Sequence, residues 1–358
     1  MVNDKFLGHN GFLWFCGVVE DRNDPLKAGR VRVRALGHHT SNTTLLPTAD
    51  LPWAQQMLPA TSAGISGLGQ SPTALVEGTW VLGYFRDGQD RQEMIVLGTM
   101  PGVPAELSQA GGFYDPAGIY PKYKDEPDVN RLAIHNEDLE HLSLTLRKAT
   151  RITGIATADF NSSTNADGSV MAASDGDTFD QPTIPYNASY PKNQVYESES
   201  GHLMEYDDTS GNERIHQRHR TGTSYEVDAS GNKVEIIKGE SYRLLSNKES
   251  VQIQGHSNIS IDGRHKLYIN KSGVEDNHYD IQIGAGASIN IQVDSGDVNI
   301  HTIQGKINMN AGGDYNLKVG GNYTVSVAGN TSETIEGTKT SNTTGAVIHR
   351  GSTIDLNP

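Results

Sequence analysis

Cysteine is almost missing. Cys16 is the only one in 358 residues, so no disulfide can form within the chain. Its place between Phe15 and Gly17, in an apolar run, reads as a core position and not as that of a nucleophile. Long apolar runs are missing as well. Nothing approaches the ~18 consecutive apolar residues of a membrane-spanning helix, and the polar start MVNDKFLGHNG carries no pattern of an export signal. Positive charge is scarce: 29 Lys and Arg stand against 43 Asp and Glu, a net charge of −14. A nucleic-acid partner, which demands a basic surface, is therefore not expected. Like-sign charge also keeps a strand-rich molecule soluble.

Patterns that carry chemistry are equally thin. The glycine-rich SAGISGLG (62–69) lacks the Lys-Ser/Thr ending and the strand–helix flanks of a phosphate loop, so a loop covering a barrel end is expected. His216 and His219 have the i, i+3 spacing of a helical metal site, but this stretch reads as strand, where those positions face opposite ways. His38 and His39 fall in a loop and suit a surface or subunit contact. Glu137 with Asp138, or Glu126 with Asp128, would be the carboxylate pairs to offer for a peptidoglycan hydrolase. No cleft-forming sequence surrounds them, and they read as solvated linker charges. No catalytic residue, metal site or cofactor is expected.

Glycine is what the chain has in plenty, and its spacing is regular. Read in eights from Gly305, the sequence runs GKINMNAG, GDYNLKVG, GNYTVSVA, GNTSETIE, GTKTSNTT, with glycine at Gly305, Gly313, Gly321, Gly329, Gly337 and Gly345. Between the glycines apolar and polar residues alternate, as in Tyr315, Leu317 and Val319. Period-two alternation means a strand with one buried face, and a recurring glycine means a corner. Upstream, Gly231, Gly239, Gly255 and Gly263 share the same grid, with Asn247 filling one gap as the usual substitute where positive φ is needed. The two blocks are out of register across KSGVEDNHYD (271–280) and a nine-residue step from Gly296 to Gly305, read as an insertion and a bulge.

An octad strand cannot bury its inner face alone. A single-chain β-helix spends about 18–25 residues on each turn, so three octads would make one turn with a thin interior. Three chains wound together would give every strand a neighbour and hide most edges. By parity with the corners, Glu333, Lys339, Ser341 and Thr343, and upstream Lys233, Glu235, Arg243 and Glu249, fall on the inward face. Either they form internal Glu–Lys rings or an ion or water file, or a local slip of one residue turns them outward.

Residues 13–100 read as a small closed barrel. Strands are expected at 13–20, at 30–37 with Val31 and Val33 inward and the arginines outward, near 52–54, at 77–85 and at 94–99. DRNDPLKAG (21–29) is turn chemistry, and 86–89 is a hairpin turn. Five short strands fit an OB-type Greek-key barrel. The stretch 137–154 fits either a helix or a hairpin, and 159–182 reads as flexible linker.

Three blocks carry a family resemblance. WFCGVVEDRNDPLKAGRVRVRALGHH, LPWAQQMLPATSAGISGLG, EGTWVLGYFRDG and IVLGT resemble the OB domain of phage baseplate central-spike, or cell-puncturing, proteins of the T-even type. Type VI secretion valine-glycine repeat spikes share that module. GGFYDPAGIYP (111–121) is similar to the segment that follows it, and 190–232 resembles the start of the trimeric β-helix that the octads complete. The T-even proteins hold a lysozyme domain between barrel and helix. Here only 122–189 are available, too few for that fold and its linkers.

The expected fold is all-β: an N-terminal arm (1–12), an OB-fold domain (13–105), a linker without a lysozyme domain (106–189), and an intertwined triple-stranded β-helix or β-prism (190–358). The resemblance implies the structural, non-enzymatic spike of a contractile tail: a homotrimer, made in the host cytoplasm and built into the virion baseplate, that punctures the host outer membrane. It also implies a trimeric tail-hub protein and, because the chain ends almost on its last octad, a separate PAAR-type tip protein. The rival readings are the spike of a type VI secretion or related contractile injection system, and a β-helical tailspike depolymerase. A type VI spike carries its hub domains in front of the barrel, and a depolymerase needs a longer repeat with a carboxylate-lined groove.

Overall fold

The computed structural model describes residues 11–105, 112–116, 120, 124–134, 185–261, 263–269 and 279–355. The expected N-terminal arm up to residue 10, the stretches 137–154 and 159–182, and most of the break at 271–280 lie outside the described residues. The chain divides into two units, 1–266 and 267–358. No helix among the described residues is long and apolar enough to cross a membrane.

The first unit begins with a closed barrel of five strands: β1 (Leu13–Asp21), β2 (Val31–Ala35), β3 (Trp53–Gln56), β4 (Trp80–Phe85) and β5 (Met94–Thr99). They close in the order β1-β2-β3-β5-β4, with only β3 and β5 parallel, as an OB barrel does. Alternation sends Phe15, Val19, Val31, Val33, Val81, Phe85, Met94 and Val96 into one core. Burying such side chains stabilises by about 1.5–3 kcal/mol each. Two glycines let strands approach closely. A Cβ on Gly17 would lie 2.6 Å from the Arg34 carbonyl oxygen, and one on Gly83 would lie 2.1 Å from that of Ile95, at the bulge where β4 crosses β5.

Four expectations for the barrel are corrected. The β2 arginines do not point into solvent. Arg34 is fully buried, because residues 36–52 fold over the outer side of β2 and meet it. Cys16 is not in the core: it is half-buried on the opposite side of β1 from Phe15, beside Leu82. The loop 62–69 does not cover the barrel end. It is a tight turn bridging Ile65 and Leu68, both about two-thirds exposed. The β4–β5 turn is longer than 86–89 and closes with the Arg86 N–H on the Glu93 carbonyl.

Residues 193–236 form a second sheet, antiparallel throughout and made within one chain: β6 (Asn193–Glu197), β7 (Leu203–Asp207), β8 (Arg214–Arg218), β9 (Ser224–Val227) and β10 (Lys233–Ile236). Each strand pairs with the next, as the short turns between them dictate. Gly231, expected as an octad corner, is instead a hairpin glycine: it has φ 80° and donates its N–H to the Asp228 carbonyl between β9 and β10.

From 237 onward the chain changes character. Every described residue from 237 to 355 is exposed and none pairs into a strand within the chain. Bends fall on the eight-residue grid, at 238–239, 246–247, 254–255, 263, 303–305, 312–313, 320–321, 328–329, 336–337 and 344–345. The corners on the grid do not use positive φ, unlike the turns at Gly286 (φ 83°) and Gly296 (φ 121°). Asn247 and the corner glycines from Gly239 on lie outside the left-handed region, which corrects the reason expected for Asn at 247. Within one chain, a Cβ at these glycines would meet nothing within 4 Å, except at Gly305, where Thr302 Oγ1 lies 2.9 Å away.

Candidate assembly site

The octads present one face to the inside of every bend. Six residues of extended chain reach about 20 Å, so two side chains six apart touch only if the chain folds toward both. Among the described residues three such contacts occur, each from the fourth residue after one corner to the second after the next. Arg243 Nη2 lies 2.6 Å from Glu249 Oε1. The Tyr315 hydroxyl donates to Met309 Sδ at 3.8 Å. Lys339 pairs with Glu333. All six belong to the set that alternation groups with Ile253, Val319 and Ile335, so this set is on the concave side. Those three aliphatics are nevertheless 56%, 44% and 45% exposed. Apolar side chains repeated on the inner side of the bends in each unit, uncovered among the described residues, mark an association surface.

The sheet that leads into the octads is polar on its covered face. Glu205, Asp207, Arg214, His216 and Arg218 are buried, while Tyr196, Tyr206, Ile215 and Tyr225 on the other face are exposed. Residues 131–134 and 185–189 form the cover. The Leu132 carbonyl accepts from Tyr186 Oη at 2.7 Å and from Asn193 Nδ2 at 3.1 Å, and the Arg214 guanidinium sits 5.1 Å over the Tyr186 ring. Glu205 is the centre: Oε1 accepts from Arg214 Nη2 at 2.8 Å and Asn193 Nδ2 at 3.0 Å, and Oε2 meets His216 Nδ1 at 2.7 Å. Arg214 Nη1 also reaches Glu226 at 2.8 Å. Burial would raise the Glu205 pKa, but His216 and Arg214 outweigh it and hold the carboxyl below its ordinary 4.5. Lys233 and Glu235, expected inward, lie on the uncovered face of β10, paired at 3.0 Å, with Lys233 5.0 Å over the Tyr225 ring.

A charged joint ties the barrel to this sheet. Arg22 holds Glu199 by two bonds, 2.9 and 2.7 Å, and its Nε is 3.4 Å from Glu77. Tyr120 donates to Glu199 as well. Burial and that acceptor push the Tyr120 phenol up to about 12. Asn130 Nδ2 adds a 2.7 Å bond to Glu197.

The residues weighed for chemistry are dispersed. His216 is buried on Glu205, whereas His219 is exposed, its ring 4.5 Å from that of His202. Glu126 pairs with Arg131 at 2.6 Å, and Asp128 accepts the Gly102 N–H at 3.0 Å, so they are not a carboxylate pair. Glu137 and Asp138 lie outside the described residues. His39 Nδ1 accepts the Ala35 N–H at 3.0 Å, and His38 packs edge-on against Phe85. A hollow of about 230 Å³ beside β2 contains Arg22 and Arg30, but Glu199 engages the first and Asp24 the second. Among the described residues no three His, Cys, Asp or Glu side chains are gathered as a metal would need.

Two family descriptions match the chain: the Gp5 N-terminal OB domain over residues 36–183, and the Gp5 C-terminal repeat, in three copies, over 313–336. The second match begins at the Gly313 corner and spans three octads. Protein Gp5 of Vibrio phage KVP40 is 36% identical over 292 residues, which cover 74% of this chain and 66% of that protein. Pre-baseplate central spike protein Gp5 of Enterobacteria phage T4 is 48% identical over 119 residues, covering 32% of this chain and 20% of that protein. The chain thus spans just under two-thirds of the first relative and a fifth of the second.

Proposed function

We propose that the chain, similar to the Gp5 proteins of two phages and matching both Gp5 family descriptions, is the structural central spike of a contractile tail. In this reading three copies wind their octads into one β-prism, the barrels form a collar at the tail hub, and the rod is driven through the host outer membrane when the sheath contracts. The observation that carries the proposal is the stretch 237–355: its described residues bend at eight-residue intervals within each block, carry aliphatic side chains on the inner side of the bends, and form no strand pairing within the chain. Its backbone donors and acceptors and its aliphatic face all need other strands, and two further copies supply both. A rod of strands shared among three chains resists being unzipped one chain at a time, which is the stiffness a puncturing device requires.

The role is mechanical and involves no catalysis. Its partners are two further copies of the chain, a trimeric hub protein, a separate tip protein of the PAAR type and, during penetration, the outer membrane. The protein is made in the host cytoplasm and resides in the virion baseplate. The contiguous match of the OB-domain family over 36–183 supports a linker, and no inserted lysozyme fold, between barrel and spike.

Native mass by light scattering tests this. The full chain should give a species of three 38.8 kDa subunits, and a chain ending before residue 191 should be monomeric. A full-length monomer would mean a single-chain solenoid and would overturn the proposal.

A further inference from the structure

We propose that the two charged pairs of the concave face, Arg243–Glu249 and Glu333–Lys339, set the register in which three chains wind together. The inference rests on the trimeric reading and adds to it a role for four residues.

Neighbouring apolar octads are nearly interchangeable. Those beginning at Gly313 and Gly321 place Tyr, Leu, Val and Tyr, Val, Val at their three concave positions. If one chain slipped by an octad against the other two, almost the same apolar area would be buried, so hydrophobic burial alone leaves the register weakly specified. The charged pairs break this degeneracy because each occurs at one level only. In a single chain they are open to solvent, with Lys339 and Glu333 each 60% exposed, and there an ion pair contributes little. In a threefold assembly every pair meets two copies of itself, giving a closed band of three cations and three anions. A chain slipped by one octad would bring one charge of the Glu333–Lys339 pair to an apolar position, Glu333 to the level of Val325 or Lys339 to that of Val347, where burial is costly, and would leave the other two pairs in an incomplete band. Single buried polar levels fix register in coiled coils by the same asymmetry. The sign order is Arg then Glu in the first pair and Glu then Lys in the second, so neither band can stand in for the other.

The test is self-sorting. Wild-type chain and the swapped variant E333K/K339E each keep an intact pair within the chain, so a merely local role gives them no reason to avoid one another. One of the two carries an N-terminal affinity tag, both are co-expressed, and trimers are counted by native mass spectrometry. Random assortment would make roughly three trimers in four mixed. Mixed trimers should fall about tenfold below that level, corresponding to ~1.4 kcal/mol. Mixing at the random level would overturn the register role while leaving the trimer intact. Monomers in both preparations would overturn the trimeric reading itself. Should E333K/K339E not assemble alone, R243E/E249R decides the question by the same count.

Discussion

Glu20 and Arg34 are both fully buried, joined by bonds of 2.5 and 3.0 Å, and Arg34 also binds the carbonyls of Thr40 and Leu46 at 2.6 and 2.8 Å. Thr48 Oγ1 completes the carboxylate at 2.7 Å. One ion pair therefore pins residues 36–52 against the barrel. Glu20→Ala leaves a buried guanidinium without its counter-charge, a loss of about 3–5 kcal/mol. Urea titration followed by tryptophan fluorescence should show it, since Trp14, Trp53 and Trp80, the only three tryptophans, all lie in barrel strands. His39, at the end of the same loop, behaves differently with pH. Burial, with Arg34 and His38 nearby, lowers its pKa from 6.5. A base whose folded pKa is depressed adds stability that is full above its unfolded value and fades as pH falls through it. Barrel stability should therefore decline below about pH 6.5, and His39→Gln should flatten that slope in denaturation curves taken from pH 7.5 to 5.

Among the elements, β4 and β5 depend on one missing side chain. Gly83→Ala would thrust a methyl group onto the Ile95 carbonyl and into the Phe15 ring, whose nearest atom is 2.5 Å from the Cβ position. Overpacking of this kind costs about 1–3 kcal/mol, more where backbone must move. The same urea titration should report it, and Gly98→Ala, which meets nothing within 4 Å, is the control. The elements also show how far a sequence can be read. The β5 strand, Met94–Thr99, falls where alternation puts it. The second sheet was not legible. LMEYD and RIHQR alternate cleanly, but apart from Leu203 the members that end up covered are Glu205, Asp207, Arg214, His216 and Arg218. Alternation tells which residues share a face. It does not tell which face is covered, and here a strap from distant sequence covers the charged one. Arg34 misled for the same reason. The concave pairs could be grouped by parity, but their contacts depend on how sharply each corner bends.

For the molecule as a whole, the division of partners predicts the order of assembly. The barrel closes its sheet and core on its own strands, whereas the described residues of 237–355 form no strand pairing within the chain. After dilution from denaturant, barrel fluorescence should recover at a rate independent of protein concentration. Protease resistance of the octads should appear faster as concentration rises. Equal concentration dependence for both would mean the barrel cannot fold without its neighbours. The strap has a different consequence. Leu132 and Tyr186 are 54 positions apart in sequence, yet one hydrogen bond joins them. Two neighbouring points of departure and return are what a passenger domain needs if it is to be gained or discarded without disturbing its host. A domain exchanged at this doorway would leave the Arg22–Glu199 joint and the second sheet as they are.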